Sequence, residues 1–280
     1  MPFPIHDALR YVTPLREGGS LPALVETEAG LVVVKFRGAG QGARALLAEL
    51  IVGGIARALG LPLPDVSLVA LADGFGRAEP DAEIQDILRA SPGLNVGLAF
   101  VPGAFAYDPA AHADLVAPDL AADVVWLDAL TTNIDRTARN PNLLVARGDA
   151  GPALWLIDHG AALYFHHDWP AMTPERARTP FPAIRDHVLL PVASSLHQAD
   201  ARLAPRLSDA VLAAVLADLP DELLGAAPPG RAPDFDTAED GRAAYADYLR
   251  QRLAAPRAWV EAAEAARQET PDAAALPYRR

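Results

Sequence analysis

The sequence contains no cysteine. Disulfides, thiolate metal sites and cysteine nucleophiles are therefore excluded, and a reducing cytoplasm is the expected compartment. Lysine is nearly as scarce, since Lys35 is the single lysine among 24 basic residues and all the others are arginine. Arginine replaces lysine easily on a surface but not where a slim ammonium must fit, which makes Lys35 a functional candidate. Long apolar runs are missing too: none approaches the ~18 residues of a membrane span. The opening MPFPIHDALRYV has neither the basic start nor the apolar stretch of a secretory signal. No G-x-S-x-G elbow supports serine hydrolase chemistry. With a formal charge of −12 and a pI near 4.9, the chain is repelled by nucleic acid and anionic membrane, so neither is an expected partner.

What is present suits a globular enzyme. A chain of 280 residues that is 51% apolar but only 6% aromatic can bury an aliphatic core in one large domain or two lobes. The first third reads as mixed. Strands are predicted over Ala23 to Thr27 and Leu31 to Phe36, a helix over Ala43 to Leu59 ended by Gly60 and Pro62, and a strand in DVSLVAL. A short amphipathic helix in DAEIQDILRA and an apolar strand over Leu94 to Val101 follow. Pro102-Gly103 is the best boundary in the chain. Beyond it the pattern is mainly helical: a helix in PDLAADVVWLDALTT, a hairpin in NLLVARGDAGPALWLID, a helix from Ser208 to Leu219 and another from Thr237 to about Arg267, bent at Pro256. The expected architecture is α+β and bilobal. A small antiparallel β-rich lobe with one main helix spans 1–102, and a larger helical lobe spans 103–280.

Three placements carry chemistry. Glu49 lies in a nearly all-apolar helix with no partner among its i±3 and i±4 neighbours, so its charge needs an opposite charge from elsewhere or water. Lys35, at the end of the strand VVVKF, is the nearest candidate, and a strand lysine paired to a helix glutamate is the arrangement protein kinases use to hold phosphate. Next, three of the four asparagines, Asn133, Asn140 and Asn142, fall within ten residues around the pair Asp135-Arg136. Asp135 precedes Asn140 by the five residues that separate base and metal-binding Asn in a kinase catalytic loop. Finally, a hairpin centred near Ala150 sets Asn142 opposite Asp158. Carboxylate and amide oxygens gathered at one end are what magnesium accepts. Asn133 is read as shaping the loop, and the histidines of DHGAALYFHHD as an unconvincing transition-metal site, since adjacent histidines on a strand point in opposite directions.

NIDRTARNPNLL followed by LIDHG resembles the catalytic and metal-binding loops of HipA-like kinases. VVVKF with AELIVGGIARALGLPLP resembles the small-lobe strand and helix of that family, the similarity running from about Gly18 to Tyr164. The resemblance implies a phosphotransferase using ATP and Mg2+, with Asp135 as catalytic aspartate, Asn140 and Asp158 as magnesium ligands, Lys35 as phosphate-binding lysine and Glu49 as its partner. Asn142 is a further candidate ligand. Gly18, Gly19 and Ser20 are candidates for a loop over the phosphates, a simple hairpin turn being the alternative, and Phe100 and Val101 occupy the position where kinases meet adenine. The chain departs from ordinary protein kinases in lacking His-Arg-Asp, and it is too short for the extra N-terminal subdomain of the toxin kinases. Toxin activity and an antitoxin partner are therefore not carried over. The acceptor is expected to be a protein Ser or Thr or a small hydroxylated metabolite. A nucleotide-binding pseudokinase and an AMP-transferring enzyme are the alternatives.

Overall fold

The computed structural model describes residues 2–15, 21–148, 151–228 and 230–270. Five strands, β1 (Ile5–Pro14), β2 (Ala23–Thr27), β3 (Gly30–Lys35), β4 (Val66–Leu71) and β5 (Gly93–Ala99), close into a barrel in the order β1-β2-β3-β5-β4. Along β2, residues alternate between fully and partly buried, the period-2 signature of a strand with one face inward. Ala23, Phe36 and the inward valines and leucine of the strands, with Ile84 and Leu88 of the short helix α2 (Ala82–Arg89), form a separate small core of nine buried side chains.

The barrel amends the expected antiparallel sheet. β1 was not anticipated, and it closes the barrel by pairing parallel to β4, Ile5 to Asp7 against Leu68 to Ala70. Its alternation is blurred by register shifts against β2 and by apolar side chains left in solvent, Ile5 and Leu9 among them. The long and the short helix of the first third, Gly42–Leu59 and Ala82–Arg89, both lie where the sequence pattern predicts them.

Helix α1 (Gly42–Leu59) is apolar on nearly every side because it is covered on both, by the barrel and by the helical remainder of the chain. Gly60 ends it in the left-handed conformation, φ 72°, returning its N–H to the carbonyls of Ala56 and Arg57. A Cβ on Gly54 would meet Val215 Cγ1 at 2.7 Å, so glycine is what permits close approach to the later helix Asp209–Ala217. Arg206 Nη2 donates to Ala58 O at 3.2 Å, Leu156 N to Pro62 O at 2.9 Å, and Arg44 pairs with Asp234.

The second sheet is small, β6 (Phe105–Ala106), β7 (Leu143–Gly148) and β8 (Gly151–Leu156) in that order, all antiparallel. Around it stand α3 (Pro109–His112), α4 (Pro118–Thr131), α5 (Pro174–Ala177), α6 (Leu196–Leu203), α7 (Asp209–Ala217), α8 (Asp221–Leu224), α9 (Ala238–Leu253) and α10 (Ala258–Glu269). Ser208 caps α7 as expected, accepting from Val211 N, and a Thr237–Asp240 capping box starts α9. The predicted helix from Thr237 to Arg267 is broken, not bent: α9 stops at Leu253 and α10 starts at Ala258. Pro256 lacks an N–H and pushes the residue before it out of the α region. No helix among the described residues is long and apolar enough to cross a membrane.

Candidate active site

Lys35 ends β3 with its side chain turned inward, only 8% exposed, while Glu49 projects from the middle of α1 and is 2% exposed. The ammonium pairs with Glu49 and also donates to Asp158 Oδ1 at 2.6 Å. Burial disfavours the lysine's charge, but the two carboxylates outweigh it and raise its pKa above the usual value. Burial likewise opposes ionisation of Asp158, and Lys35 reverses this, holding the carboxyl below its usual range. Burial raises the pKa of Glu49 against the pull of Lys35, and a further cation beside the group would favour ionisation of both carboxylates.

Asp158 stands just past β8 at φ 53°, in the left-handed region, a conformation that Asp and Asn tolerate better than other residues with a Cβ. Asn142, just before β7, shares it at φ 49°. The hairpin closes one residue earlier than the sequence suggested. Leu143 pairs with Leu156 and Gly148 with Gly151, so Asn142 faces Ile157, whose N–H donates to Asn142 O at 3.2 Å. The physical reason is that the pairing of Gly148 with Gly151 fixes the register along the whole hairpin, residues 149 and 150 lying outside the described residues.

Asp135, Asn140 and Asn142 form a second cluster. Asn140 Nδ2 donates to Asp135 Oδ2 at 2.6 Å and Asn142 Nδ2 to the same oxygen at 3.1 Å. With both amide groups turned so, no described residue donates to the Oδ1 atoms of Asn140 and Asn142 or of Asp135, and these acceptors are left for a ligand. Among the described residues no three His, Asp or Glu side chains converge. A cation here would draw on one carboxylate, amide oxygens, water and phosphate, a donor set that suits magnesium better than zinc. Asn133 shapes the loop, its Oδ1 accepting from Asp135 N at 3.1 Å.

Phe100 and Val101 follow β5. Phe100 is 41% exposed, and its N–H donates to Leu31 O at 3.0 Å. Gly18, Gly19 and Ser20 lie outside the described residues.

Sequence reasoning missed the residues that join the two clusters. Arg136, with a fully buried side chain, donates from Nε to Asp128 Oδ2 at 2.5 Å, from Nη1 to Asn142 O and to Ile157 O at 3.2 Å, and from Nη2 to His159 Nδ1 at 3.2 Å. His187 completes the far side. Its Nδ1 accepts from Leu189 N at 3.0 Å, so the other nitrogen carries the proton and donates to Asp128 Oδ2 at 2.9 Å. Burial opposes the charge on Asp128, but Arg136 and His187 hold its pKa far below the ordinary range. His159, buried beside a cation, is driven down to about 3 and is neutral. The signal was available: Asp128 has no charged partner among its i±3 and i±4 neighbours in α4, as Glu49 has none in α1.

Known proteins resemble the chain in family pattern and in fold. A family model described as HipA-like kinase matches residues 12–173, more than half of the chain. The crystal structure of a Helicobacter pylori proinflammatory kinase, CtkA, superimposes with a TM-score of 0.54 at 12% identity, covering 96% of this chain and 98% of that one. At that identity the likeness speaks for the fold alone. No curated protein matches the sequence.

Proposed function

The chain belongs to the HipA-like kinase family, and from that premise we propose that it is an ATP- and magnesium-dependent phosphotransferase acting on the hydroxyl of a protein Ser or Thr or of a small metabolite. The observation that carries the reading is Lys35 held between Glu49 and Asp158, with Asp135, Asn140 and Asn142 gathered at the open end of the adjoining hairpin. In this reading the barrel with α1 and α2 is the nucleotide lobe, residues 1–102, and the remainder, 103–280, is the catalytic lobe, with the cleft between them. The setting proposed is the cytoplasm.

Each residue has a separate task. Lys35, kept charged by its carboxylate partners, offers a cation to phosphate oxygens, and Glu49 fixes where that cation stands. Asp135 presents its free Oδ1 to the acceptor hydroxyl and takes the proton as the oxygen attacks. The two amides on Oδ2 stop the carboxylate from turning away. Asp158, with Asn140 and Asn142, would hold magnesium, which when bound supplies positive charge against the phosphate oxygens. Phe100 and Val101 would flank the base, and Gly18, Gly19 and Ser20 would cover the phosphates with backbone N–H groups.

Parallel incubation with γ-labelled and α-labelled ATP tests the proposal on wild type, Asp135→Ala and Asp158→Ala. Label leaving the γ position in wild type and in neither variant is the expected result. Label retained on protein from the α position would instead indicate AMP transfer. Equal, slow loss in all three would indicate a pseudokinase.

A further inference from the structure

A single guanidinium reaches both halves of the proposed site. Arg136 directly follows Asp135 in the chain, and its Nη1 caps both carbonyls at the open end of the hairpin, Asn142 O and Ile157 O. Asp158 is the next residue after Ile157, and His159, which Nη2 reaches, is the one after that. Asp128 on α4 holds the guanidinium from behind, and His187 holds Asp128. The loop is tied down a second time at the same place, where Val188 N donates to Arg136 O at 3.1 Å.

A buried ion pair is weak evidence for stability, since well-packed apolar side chains of the same volume are often as good. What an apolar substitute cannot do is aim donors in several directions from one plane. All three guanidinium nitrogens are engaged, toward a helix, two strand ends and the residue after Asp158. A lysine offers one nitrogen and cannot span these partners. We propose that Arg136 is a positioning residue that keeps Asp135 and Asp158 in fixed relation across the proposed site, with Asp128 and His187 as its anchor. The proposal rests on the phosphotransferase reading.

The test compares wild type, Arg136→Lys and, as a surface control, Arg202→Lys, which alters the exposed pair with Asp123. The readouts are turnover of ATP, the Mg2+ concentration giving half-maximal turnover at saturating ATP, and the melting temperature. A positioning role predicts turnover down about 100-fold in Arg136→Lys, as for misplacement by an ångström, and half-saturation by Mg2+ raised about 10-fold, as for loss of a group that orients ligands. The control should match wild type. A folded Arg136→Lys within twofold of wild type in both readouts overturns the proposal while leaving the phosphotransferase reading intact. A wild type with no turnover and no Mg2+-dependent melting shift defeats that reading and this inference with it. If Arg136→Lys does not fold, the pair His187→Gln and His187→Leu carries the test. Glutamine can still donate to Asp128 and should keep the Mg2+ response, and leucine should lose it. Equal responses in the two, or failure of Arg136→Lys and His187→Leu alike to fold, would assign the group to stability and overturn the proposal.

Discussion

Lys35 Nζ and Asp158 Oδ1 lie 2.6 Å apart although 123 residues separate them in the chain. The contact joins the last residue of a barrel strand to the residue after a hairpin, so it reports whether the two halves of the molecule are correctly assembled. Substituting arginine for Lys35 keeps the charge but introduces a planar group too large for a slot 8% exposed and already in contact with Glu49. Turnover in Lys35→Arg is expected to fall by about 100-fold or more, with misplacement of the charge as the cause. Activity within tenfold of wild type would remove Lys35 from the site.

Glu49→Gln leaves Lys35 with Asp158 as its carboxylate partner. Breaking a buried pair by removing one member typically destabilises by about 3 to 5 kcal/mol, and the surviving contact should hold this variant near the lower end. Urea unfolding of the nucleotide-free protein measures it. A loss below about 1 kcal/mol would place the Lys35–Glu49 contact with the exposed pairs of modest worth.

For Asp135→Asn the stability and the chemistry should separate. The new amide oxygen can still accept from Asn140 and Asn142, so the melting temperature should move little. Turnover should drop about 10²- to 10⁴-fold because the proton acceptor is gone. A parallel fall in both quantities would point to a structural role for Asp135.

Acid sensitivity should begin at the histidines. Burial lowers the pKa of His166, helped by neighbouring His167 and Arg44, and burial also lowers that of His187 against the pull of Asp128. Such a group is neutral when folded and takes up a proton when unfolded. Its contribution is therefore complete above the unfolded value near 6.5 and is lost as pH falls below it, by up to about 1.4 kcal/mol per pH unit for each histidine. Asp128, with its pKa far below normal, contributes above the ordinary aspartate range and loses its share only in stronger acid. Unfolding free energies should hold from pH 7.5 to about 6.5 and fall steadily from there to pH 5, less steeply in His166→Gln. A flat profile over that range would contradict the assignment of neutral buried histidines.

Gly54→Ala probes the seat of α1. Its Cβ would meet Val215 Cγ1 at 2.7 Å, and overpacking of this kind costs about 1 to 3 kcal/mol. Adding Val215→Ala should recover most of the loss. No recovery in the double variant would mean that the two helices do not rest on this contact.

Much of the site could be read from the chain because unusual residues sat in unusual places. A lone lysine on a strand, a lone glutamate in an apolar helix and asparagines crowded beside one aspartate each needed a reason, and Lys35, Glu49, Asp135, Asn140 and Asn142 do come together in two adjoining groups. Asp128 gave the same kind of signal, but its partner Arg136 looked like one surface arginine among many. The hairpin register was misjudged by one residue, because turn length sets register and Asp149 and Ala150 do not announce how many residues the turn uses. β1 escaped notice because register shifts against β2 and exposed apolar side chains blur its alternation, and because its first residues close onto β4, more than sixty positions away. No local pattern reports such a closure.

The setting of α1 bears on how the site could be controlled. An enzyme that makes and breaks its lysine–glutamate contact by rotating one helix needs that helix loosely held, so that a modest binding energy can shift the balance between two states. Here a rotation would have to separate Gly54 from Val215, Arg44 from Asp234 and Ala58 from Arg206 together. A helix fastened at its first turn, its middle and its end has little population elsewhere for an effector to recruit. Control by tilting this helix is thus disfavoured by the architecture, and under the proposed function an on–off response would have to act on access of nucleotide or acceptor instead.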